Sequence, residues 1–304
     1  MANLYNQIGK NKRKTFFLFT IFLAFAIGLG WFISQVYNSP IILYLAVFIA
    51  IVMNIIAYWY SDKIVLKMSN AKPADKEKYE GLHNKVENLA ITAGLPKPEV
   101  YIIEKQQPNA FATGRNPENS VVAVTEGLLK KLNDSELEGV LAHELSHIGN
   151  RDMLISTAAV VLVGFISILA DMFMRSVFFQ ALFGDEEGGG GGLMMIVAIV
   201  ISILAPLGAS LIQLAISRKR EFLADASGAM LTRYPEGLAS ALKKISKDST
   251  PMKEEARTTT AHLWIESPFK GRQAKNWFTK LFQTHPPVEE RISKLKNIDV
   301  QEAN

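Results

Sequence analysis

Long apolar runs without charge divide the chain into membrane-like and polar segments. Between Lys14 and Asp62 lie 47 residues that carry no formal charge, 18 more run from Met153 to Ala170, and 30 more run from Gly188 to Ser217. A buried helix in a soluble protein needs one apolar face, whereas a helix that crosses a bilayer needs about 20 mostly apolar residues. The pattern therefore predicts an integral membrane protein and excludes a soluble two-domain protein.

These runs predict four transmembrane helices. The first run is long enough for two helices, about Phe16–Val36 and Ile41–Tyr60, with Tyr37–Pro40 as the turn between them. The later runs predict a third helix at about Leu154–Phe173 and a fourth at about Leu193–Ile216. A cleaved signal peptide fits the first segment less well, because the apolar stretch is too long, no cleavage site follows it and a second span comes immediately.

The distribution of lysine and arginine predicts how the spans are oriented. Four basic residues lie from Lys10 to Lys14, before the first span, and five lie from Lys63 to Lys78, after the second, whereas the turn between the spans has none. Three more, Arg218–Arg220, directly follow the fourth span. Because basic residues concentrate on the cytoplasmic side of membrane proteins, both termini and both polar segments are expected in the cytoplasm.

The polar segment after the second span predicts a mixture of helix and sheet. A helix over Asp75–Ala93 is followed by three runs with strand character, which together predict a small sheet. The three runs are Glu99–Glu104, Asn109–Thr113 and Ser120–Thr125. The last polar segment predicts helices to about Ser227, near Glu236–Lys247 and after Pro286-Pro287.

Composition excludes several kinds of chemistry. The 304 residues include no cysteine, so a disulfide framework and cysteine-based zinc, haem or redox sites are excluded. The net charge of +4 is small and is divided around the apolar runs, so no nucleic-acid partner is expected.

The string His143-Glu144-Leu145-Ser146-His147 predicts a metal site. It lies in a predicted helix that opens with a capping-box pattern at Ser135 and Glu138. Two histidines four residues apart project from one helix face and can bind the same metal ion. Glu144 is offset from them, so it can accept a proton from a water molecule without occupying a coordination position.

Topology indicates where the third protein ligand of a catalytic zinc site lies. The third and fourth spans are antiparallel, so the chain leaves the cytoplasmic face near Asp152 and returns to it near Ser217. Glu221 follows the return directly and is therefore expected beside the two histidines. Other carboxylates and histidines remain alternatives on composition, without a comparable geometric argument; they are Glu236, Glu254, Glu255, Glu266, His262 and His285. Asp225, one turn after Glu221, is either a carboxylate that orients a ligand imidazole or an ordinary surface carboxylate.

With these strings the chain resembles the HtpX family of membrane-integrated zinc metallopeptidases, which are related to the CAAX prenyl proteases. The matching strings are Asn109 to Gly114, His143 to His147, Arg220 to Ala226, Ala261-His262-Leu263, and Thr284-His285-Pro286-Pro287 followed by Glu289-Glu290-Arg291. The resemblance implies a gluzincin-type domain, one Zn²⁺ per chain held by His143, His147 and Glu221, and Glu144 as general base.

The resemblance also implies an architecture and a cellular role. We expect an α+β protein of the bacterial cytoplasmic (inner) membrane, with the active site on the cytoplasmic side, that cleaves misfolded or damaged membrane proteins. The predicted organisation is a transmembrane hairpin at 1–62, a first part of the catalytic domain at 63–152, a second hairpin at 153–217, and a second part of the domain at 218–304.

Two further roles follow from the mechanism and the resemblance. His285 is a candidate donor to the oxyanion, or else a residue that the rigid Pro286-Pro287 pair holds at a helix start. Asn109, Ala110, Phe111, Ala112 and Thr113 resemble the family's edge strand, which would bind an extended substrate through backbone hydrogen bonds. An ordinary structural strand is the alternative.

Three rival functions are less well supported by the residues. A narrow processing protease for prenylated peptides would need a larger intramembrane chamber than four spans provide. A scaffold or holdase with a structural metal site would be expected to close the site with four protein ligands. A transporter would be expected to carry ionisable residues within its spans, which here have almost none. Unfolded or membrane polypeptides and the lipid bilayer are thus the expected partners.

Overall fold

A computed structural model describes residues 2–36, 38–183, 218–248, 265 and 286–298. The helices are α1 (Ala2–Val36), α2 (Pro40–Met68), α3 (Glu80–Thr92), α4 (Glu126–Lys131), α5 (Asp134–Gly149), α6 (Met153–Phe183), α7 (Arg218–Thr232), α8 (Pro235–Ser246) and α9 (Val288–Lys296). The strands are β1 (Ala71–Pro73), β2 (Glu99–Ile103), β3 (Ala110–Asn116) and β4 (Asn119–Thr125). The predicted α+β class is confirmed: the described chain is mostly helical with one small mixed sheet.

Three helices in the described part of the chain are long and apolar enough to cross a membrane. They are Ile8–Gln35 in α1, Pro40–Met68 in α2 and Met153–Asp171 in α6. In the most apolar 18-residue window of each helix, 17% of the window is buried in α1, 11% in α2 and 61% in α6, so α6 packs against the rest of the described chain far more than α1 and α2 do. The predicted fourth span lies outside the described residues, so the count of four stays a prediction.

The sheet has the strand order β1-β2-β4-β3. Strands β2 and β4 are parallel, whereas β1 with β2 and β3 with β4 are antiparallel. Strand β3 therefore lies at an edge, as expected for Asn109–Thr113. The three-residue strand β1 was not predicted, because a run this short that contains a proline has no strand pattern.

The sheet lies between the membrane spans and helix α5. On one face, Ala112, Val122 and Val124 belong to the apolar cluster that also contains α5 residues. On the other face, Phe111 and Ala123 pack in a cluster with Val65 of α2 and Val160 of α6. The polar domain is thus built directly on the ends of the spans.

Two predicted helix starts were wrong, and local polar side chains explain both. Asp75 forms a turn after β1, because its Oδ1 accepts hydrogen bonds from the backbone N–H groups of Glu77 and Lys78. Helix α3 therefore begins at Glu80 and not at Asp75. The N-cap of α5 lies two residues before Ser135, the predicted one. This N-cap is Asn133, which exchanges hydrogen bonds of 2.9 Å with Glu136 in both directions.

Helix α7 can approach α5 because a glycine lies at the crossing. A Cβ atom at Gly228 would lie 2.9 Å from the backbone nitrogen of His143, closer than real Cβ atoms come. A similar contact, 2.6 Å from a Cβ at Gly139 to the nitrogen of Leu238, brings α8 onto α5. These close contacts place the polar start of α7 beside the histidines of α5.

Candidate metal centre and active site

Helix α5 presents two histidines to the same point. His143 and His147 lie one turn apart, and their Nε2 atoms are 3.2 Å from each other. His143 is 3% exposed, so its ring is held in the protein interior. As predicted from helix geometry, a spacing of four residues brings both imidazole rings to one face of α5.

Glu221, in the first turn of α7, completes a group of three. Its Oε2 lies 3.7 Å from His143 Nε2, and its Oε1 lies 3.8 Å from His147 Nε2. In the described part of the chain, these three residues form a group whose ligand atoms all lie within 4.8 Å of one another. Among the alternatives named above, Glu236 is exposed on α8, and Glu254, Glu255, Glu266 and His262 lie outside the described residues.

Each histidine has a carboxylate on its other ring nitrogen. His143 Nδ1 lies 3.0 Å from Asp225 Oδ1, and His147 Nδ1 lies 3.0 Å from Asp152 Oδ1. A carboxylate in this position fixes the tautomer that leaves Nε2 free to bind a metal ion. Asp225 is only 3% exposed, so it is not a surface carboxylate. It lies where a carboxylate that orients the His143 imidazole would have to lie.

Asp152 was not singled out from the sequence. It follows α5 after Arg151, whose φ of 53° reverses the chain and brings Asp152 back against the end of the helix. The backbone N–H of Asp152 donates to the carbonyl oxygen of His147 at 3.3 Å. In the sequence, only its position five residues after His147 could have drawn attention to Asp152. Its contact with His147 depends on a left-handed turn at an arginine, which is rare and has no recognisable sequence pattern.

Arg291 is the second residue of the site without a predicted role. It is fully buried, and its Nε and Nη2 donate to the two carboxylate oxygens of Asp225 at 2.8 and 2.7 Å. Burial would raise the pKa of Asp225, but the charge and hydrogen bonds of Arg291 outweigh it and, with His143, lower that pKa to about 2. Asp225 is therefore ionised and held rigidly.

The electrostatics of the pocket favour a cation. Burial would lower the pKa of His147, but Asp152, Glu221 and Glu144 outweigh it and raise that pKa to about 10. The surrounding carboxylates thus stabilise positive charge at this point. Two imidazole nitrogens and a carboxylate oxygen are also the donor set of many catalytic zinc sites.

Glu144 lies between the histidines and the edge strand. Its Oε2 accepts a hydrogen bond of 2.8 Å from the backbone N–H of Ala112. Burial raises the pKa of Glu144, although His143 and His147 oppose this effect. The carboxylate is therefore positioned beside the group of three residues and is a stronger base than an exposed glutamate.

A cavity opens between the edge strand and the start of α6. It is lined by Ala110, Phe111, Ala112, His143, Glu144, His147, Asp152, Met153, Ser156, Glu221 and Ile265. Of the predicted strand residues, Asn109 and Thr113 do not line it: Asn109 Oδ1 accepts from the N–H of Ile265 at 2.9 Å, and Thr113 Oγ1 lies 3.1 Å from Thr157 Oγ1 in α6. His285 lies outside the described residues.

A comparison with protein families shows to which family the chain belongs. Residues 76–299 match the model of Peptidase family M48. The chain belongs to peptidase family M48. As an M48 member with apolar spans, it is a membrane-associated metallopeptidase.

Full-length relatives and a solved structure agree with this assignment. A "Protease HtpX homolog" of Caldanaerobacter subterraneus subsp. tengcongensis is 44% identical over 303 residues, which cover 98% of both chains. One of Pyrococcus abyssi is 48% identical and covers 95% of this chain and 96% of its own. The crystal structure of S. mikatae Ste24p is 19% identical with a TM-score of 0.50, over 97% of this chain and 67% of that one, so it shares the fold.

The buried Asp225–Arg291 pair of this M48 protein should be essential for its stability. Asp225→Asn leaves the Arg291 guanidinium buried without a carboxylate, and removal of one partner of such a pair costs about 3–5 kcal/mol. We expect the free energy of unfolding of the metal-free protein in detergent to fall by that amount. Glu290→Gln is the control, because Glu290 pairs with Lys294 on the exposed face of α9 and exposed pairs contribute less than about 1 kcal/mol. Equal stability of Asp225→Asn and wild type would contradict the prediction.

Proposed function

We propose that this protein is a zinc endopeptidase in which His143, His147 and Glu221 bind one Zn²⁺. The observation that carries the proposal is the convergence of these three residues at a point where the surrounding carboxylates favour a cation. Each of the two histidines also has a carboxylate beside its outer ring nitrogen. The donor set fits zinc because imidazole nitrogen and carboxylate oxygen are its usual ligands in catalytic sites that keep a position open. Family membership supports the same metal.

Loss of any one of the three ligands should release the metal. We expect the zinc affinity of Glu221→Ala to be at least tenfold lower than that of wild type, since loss of outer partners alone lowers metal affinity by roughly 10 to 100-fold. Glu236→Ala removes an exposed glutamate from the neighbouring helix and should keep full occupancy. Zinc content of the purified variants, measured by mass spectrometry of the metal, tests this. Full zinc occupancy in Glu221→Ala would mean that another residue supplies the third ligand.

The proposed mechanism assigns a proton transfer to Glu144. A zinc ion held by His143, His147 and Glu221 would supply Lewis-acid chemistry, that is, it would polarise a carbonyl group and make a water molecule more acidic. Glu144 accepts the proton of the attacking water and passes it to the leaving amine. The N–H of Ala112 orients the Glu144 carboxylate before substrate arrives. Asp225 and Asp152 keep both imidazoles in the tautomer that a ligand needs. His285 remains our proposed donor to the oxyanion.

Glu144→Gln should separate catalysis from metal binding. The amide has nearly the same shape and leaves the three ligands in place, but it cannot accept a proton, so cleavage of an unfolded protein substrate should fall at least about a hundredfold. Zinc content and membrane insertion should equal those of wild type. A variant that cleaves as fast as wild type would exclude Glu144 as the base. If neither protein cleaves and both prevent substrate aggregation equally, a holdase becomes the better proposal.

We propose that substrate binds as an added strand along β3. Asn109 faces β4, because its carbonyl oxygen accepts from the N–H of Thr125 at 2.9 Å. Backbone groups alternate along an antiparallel strand, so those of Ala110 and Ala112 point away from β4 and into the cavity. Main-chain hydrogen bonds do not depend on the side chains of the substrate. Substrate binding of this kind is therefore compatible with cleavage of many unrelated sequences.

Proline at the first position of β3 should weaken cleavage of all substrates together. Ala110→Pro removes an N–H that faces the cavity, without removing the Ala112 donor to Glu144 or a bond to β4. One lost hydrogen bond of about 0.5–1.5 kcal/mol corresponds to a two- to tenfold lower kcat/KM. Ala110→Gly keeps the N–H and is the control. Equal kcat/KM for the two variants on several substrates would show that substrate does not bind along this edge.

The position of the cavity supports membrane proteins as substrates. Met153 and Ser156, in the first turns of span α6, line the same cavity as Glu144. At the far end of β3, the Arg115 guanidinium lies 4.4 Å from the ring centroid of Trp59 in span α2. A polypeptide that leaves the bilayer thus meets the cleft at the membrane surface. We infer a role in quality control, in which misfolded or damaged membrane proteins are degraded on the cytoplasmic side.

The cytoplasmic orientation of the site can be measured directly because the native chain has no cysteine. A cysteine placed at Asn70, after span α2, should be protected from a membrane-impermeant thiol reagent added to whole cells. A cysteine placed at Asn38, in the turn between α1 and α2, should react. The reverse pattern would place the active site outside the cytoplasm.

A further inference from the structure

The cavity beside Glu144 has an apolar wall that takes no part in the proposed proton transfer or metal binding. Among the described residues that line the cavity, the three proposed ligands, Glu144 and Asp152 supply the ionisable groups, and most of the others are apolar. Ile265 is one of these apolar residues, and it is 5% exposed. It belongs to the apolar cluster that β3 and α5 share, so its side chain joins the core of the domain to the wall of the cavity.

Asn109 holds the backbone of Ile265 in place. The Asn109 Oδ1 accepts a hydrogen bond of 2.9 Å from the N–H of Ile265, although the two residues lie 156 positions apart in the chain. Both residues are buried, so neither group can readily bind water instead. Because an unpaired buried donor or acceptor is costly, this hydrogen bond fixes the position of Ile265 relative to Asn109.

Asn109 is itself a fixed point of the sheet. Its N–H donates to Oγ1 of Thr125 at 2.8 Å, and its carbonyl oxygen accepts from the N–H of Thr125 at 2.9 Å. Thr125 ends β4 and caps the start of α4, where its Oγ1 accepts from the N–H of Leu128 at 3.2 Å. The edge of the sheet thus sets the position of Ile265 through one amide side chain.

Contacts along β3 give the order of the groups in the cleft. Ile265 is held at Asn109, just before the strand. Glu144 accepts the backbone N–H of Ala112, and the next residue, Thr113, contacts α6. At about 3.3 Å per residue, Asn109 and Ala112 lie roughly 10 Å apart along the strand, which leaves room for a substrate side chain. A substrate strand along β3 would therefore meet Ile265 on one side of the cleaved bond and α6 on the other.

We propose that Ile265, positioned by Asn109, is a specificity-determining residue that selects a medium-sized apolar side chain, such as leucine, on one side of the cleaved bond. The proposal rests on the peptidase function and on substrate binding along β3. Backbone hydrogen bonds of an added strand give affinity, whereas pockets for its side chains give specificity. A polar side chain would lose its hydration against Ile265 without gaining a hydrogen bond. Leucine, isoleucine and valine are favoured in transmembrane helices, so this preference suits membrane proteins as substrates.

A change of cleavage preference in Ile265→Ala tests the proposal. The full-length, zinc-loaded protein in detergent is given the unfolded protein β-casein, and mass spectrometry of the products identifies the cleaved bonds. Two peptides are then made from one such site, with leucine or tryptophan at the preferred apolar position beside the bond. Loss of most of the isoleucine side chain enlarges the pocket. The ratio of kcat/KM for the tryptophan peptide to kcat/KM for the leucine peptide should therefore rise at least about tenfold, since even one methylene group in an apolar pocket can change the rate by that factor.

Ile245→Ala is the matched control. Ile245 belongs to the same apolar cluster and is 3% exposed, but it lies in α8 and does not line the cavity. Ile245→Ala should lose stability as Ile265→Ala does, since both leave a hole in the core, but its tryptophan-to-leucine ratio should equal that of wild type. Ile265→Val removes a single methyl group and should shift the ratio in the same direction by a smaller factor. Ile265→Val decides the question if Ile265→Ala does not fold.

The same ratio distinguishes a positioning role of Asn109 from a purely structural one. Asn109→Ala releases the backbone of Ile265 and should raise the ratio as Ile265→Ala does. The two changes should not add in the double variant, because both act through one side chain. Asn109→Asp keeps an acceptor oxygen and should restore most of the wild-type preference. If Asn109→Ala lowers kcat/KM equally for both peptides, Asn109 supports β3 and does not position Ile265.

Other results would overturn the proposal while the peptidase function stands. An active wild type without a preference for apolar residues on either side of the cleaved bond would mean that Ile265 selects nothing. An unchanged ratio in both Ile265 variants, or an equal change in Ile245→Ala, would have the same meaning. A zinc-loaded wild type that cleaves neither β-casein nor the peptides would instead contradict the proposed function itself, and this inference with it.

Discussion

The buried contact of Asp225 with Arg291 and His143 is the interaction on which the rest of the site depends. Asp225 belongs to α7, Arg291 to α9 and His143 to α5, so one carboxylate joins three helices that are distant in the chain. Because Arg291 keeps Asp225 ionised, the carboxylate can hold the imidazole from behind. The close crossing of α5 and α7 at Gly228 makes this contact possible, and the same crossing brings Glu221 to the histidines.

The charges of the site are arranged in two layers with different purposes. Asp152 and Asp225 face the outer nitrogens of the histidines, whereas Glu144 and Glu221 line the cavity on the other side. The inner layer makes that space favourable for a cation, and the outer layer fixes the rings. Arg291 neutralises part of the outer layer, so the cluster tolerates burial without losing its preference for a cation at the centre.

The position of the domain on the spans determines what can reach the cleft. One face of the sheet packs on α2 and α6, and the cavity is shared between the edge strand and the first turns of α6. The cavity is therefore lined in part by residues of a helix that is apolar enough to cross a membrane.

The sequence by itself determined the features that depend on local pattern: the apolar spans, the edge-strand segment, and the two histidines with Glu144 on one helix. It also led us to expect Glu221 beside the histidines, and in the structure its carboxylate oxygens lie 3.7 and 3.8 Å from their Nε2 atoms. Only the tertiary structure decided the roles of Asp152 and Arg291 and the burial of Asp225. The position of Asp152 depends on a left-handed turn at Arg151, which is a rare backbone conformation. The position of Arg291 depends on the packing of α9 against α7, and Arg291 lies 66 residues after Asp225 in the chain. Neither feature leaves a periodic signal in the sequence.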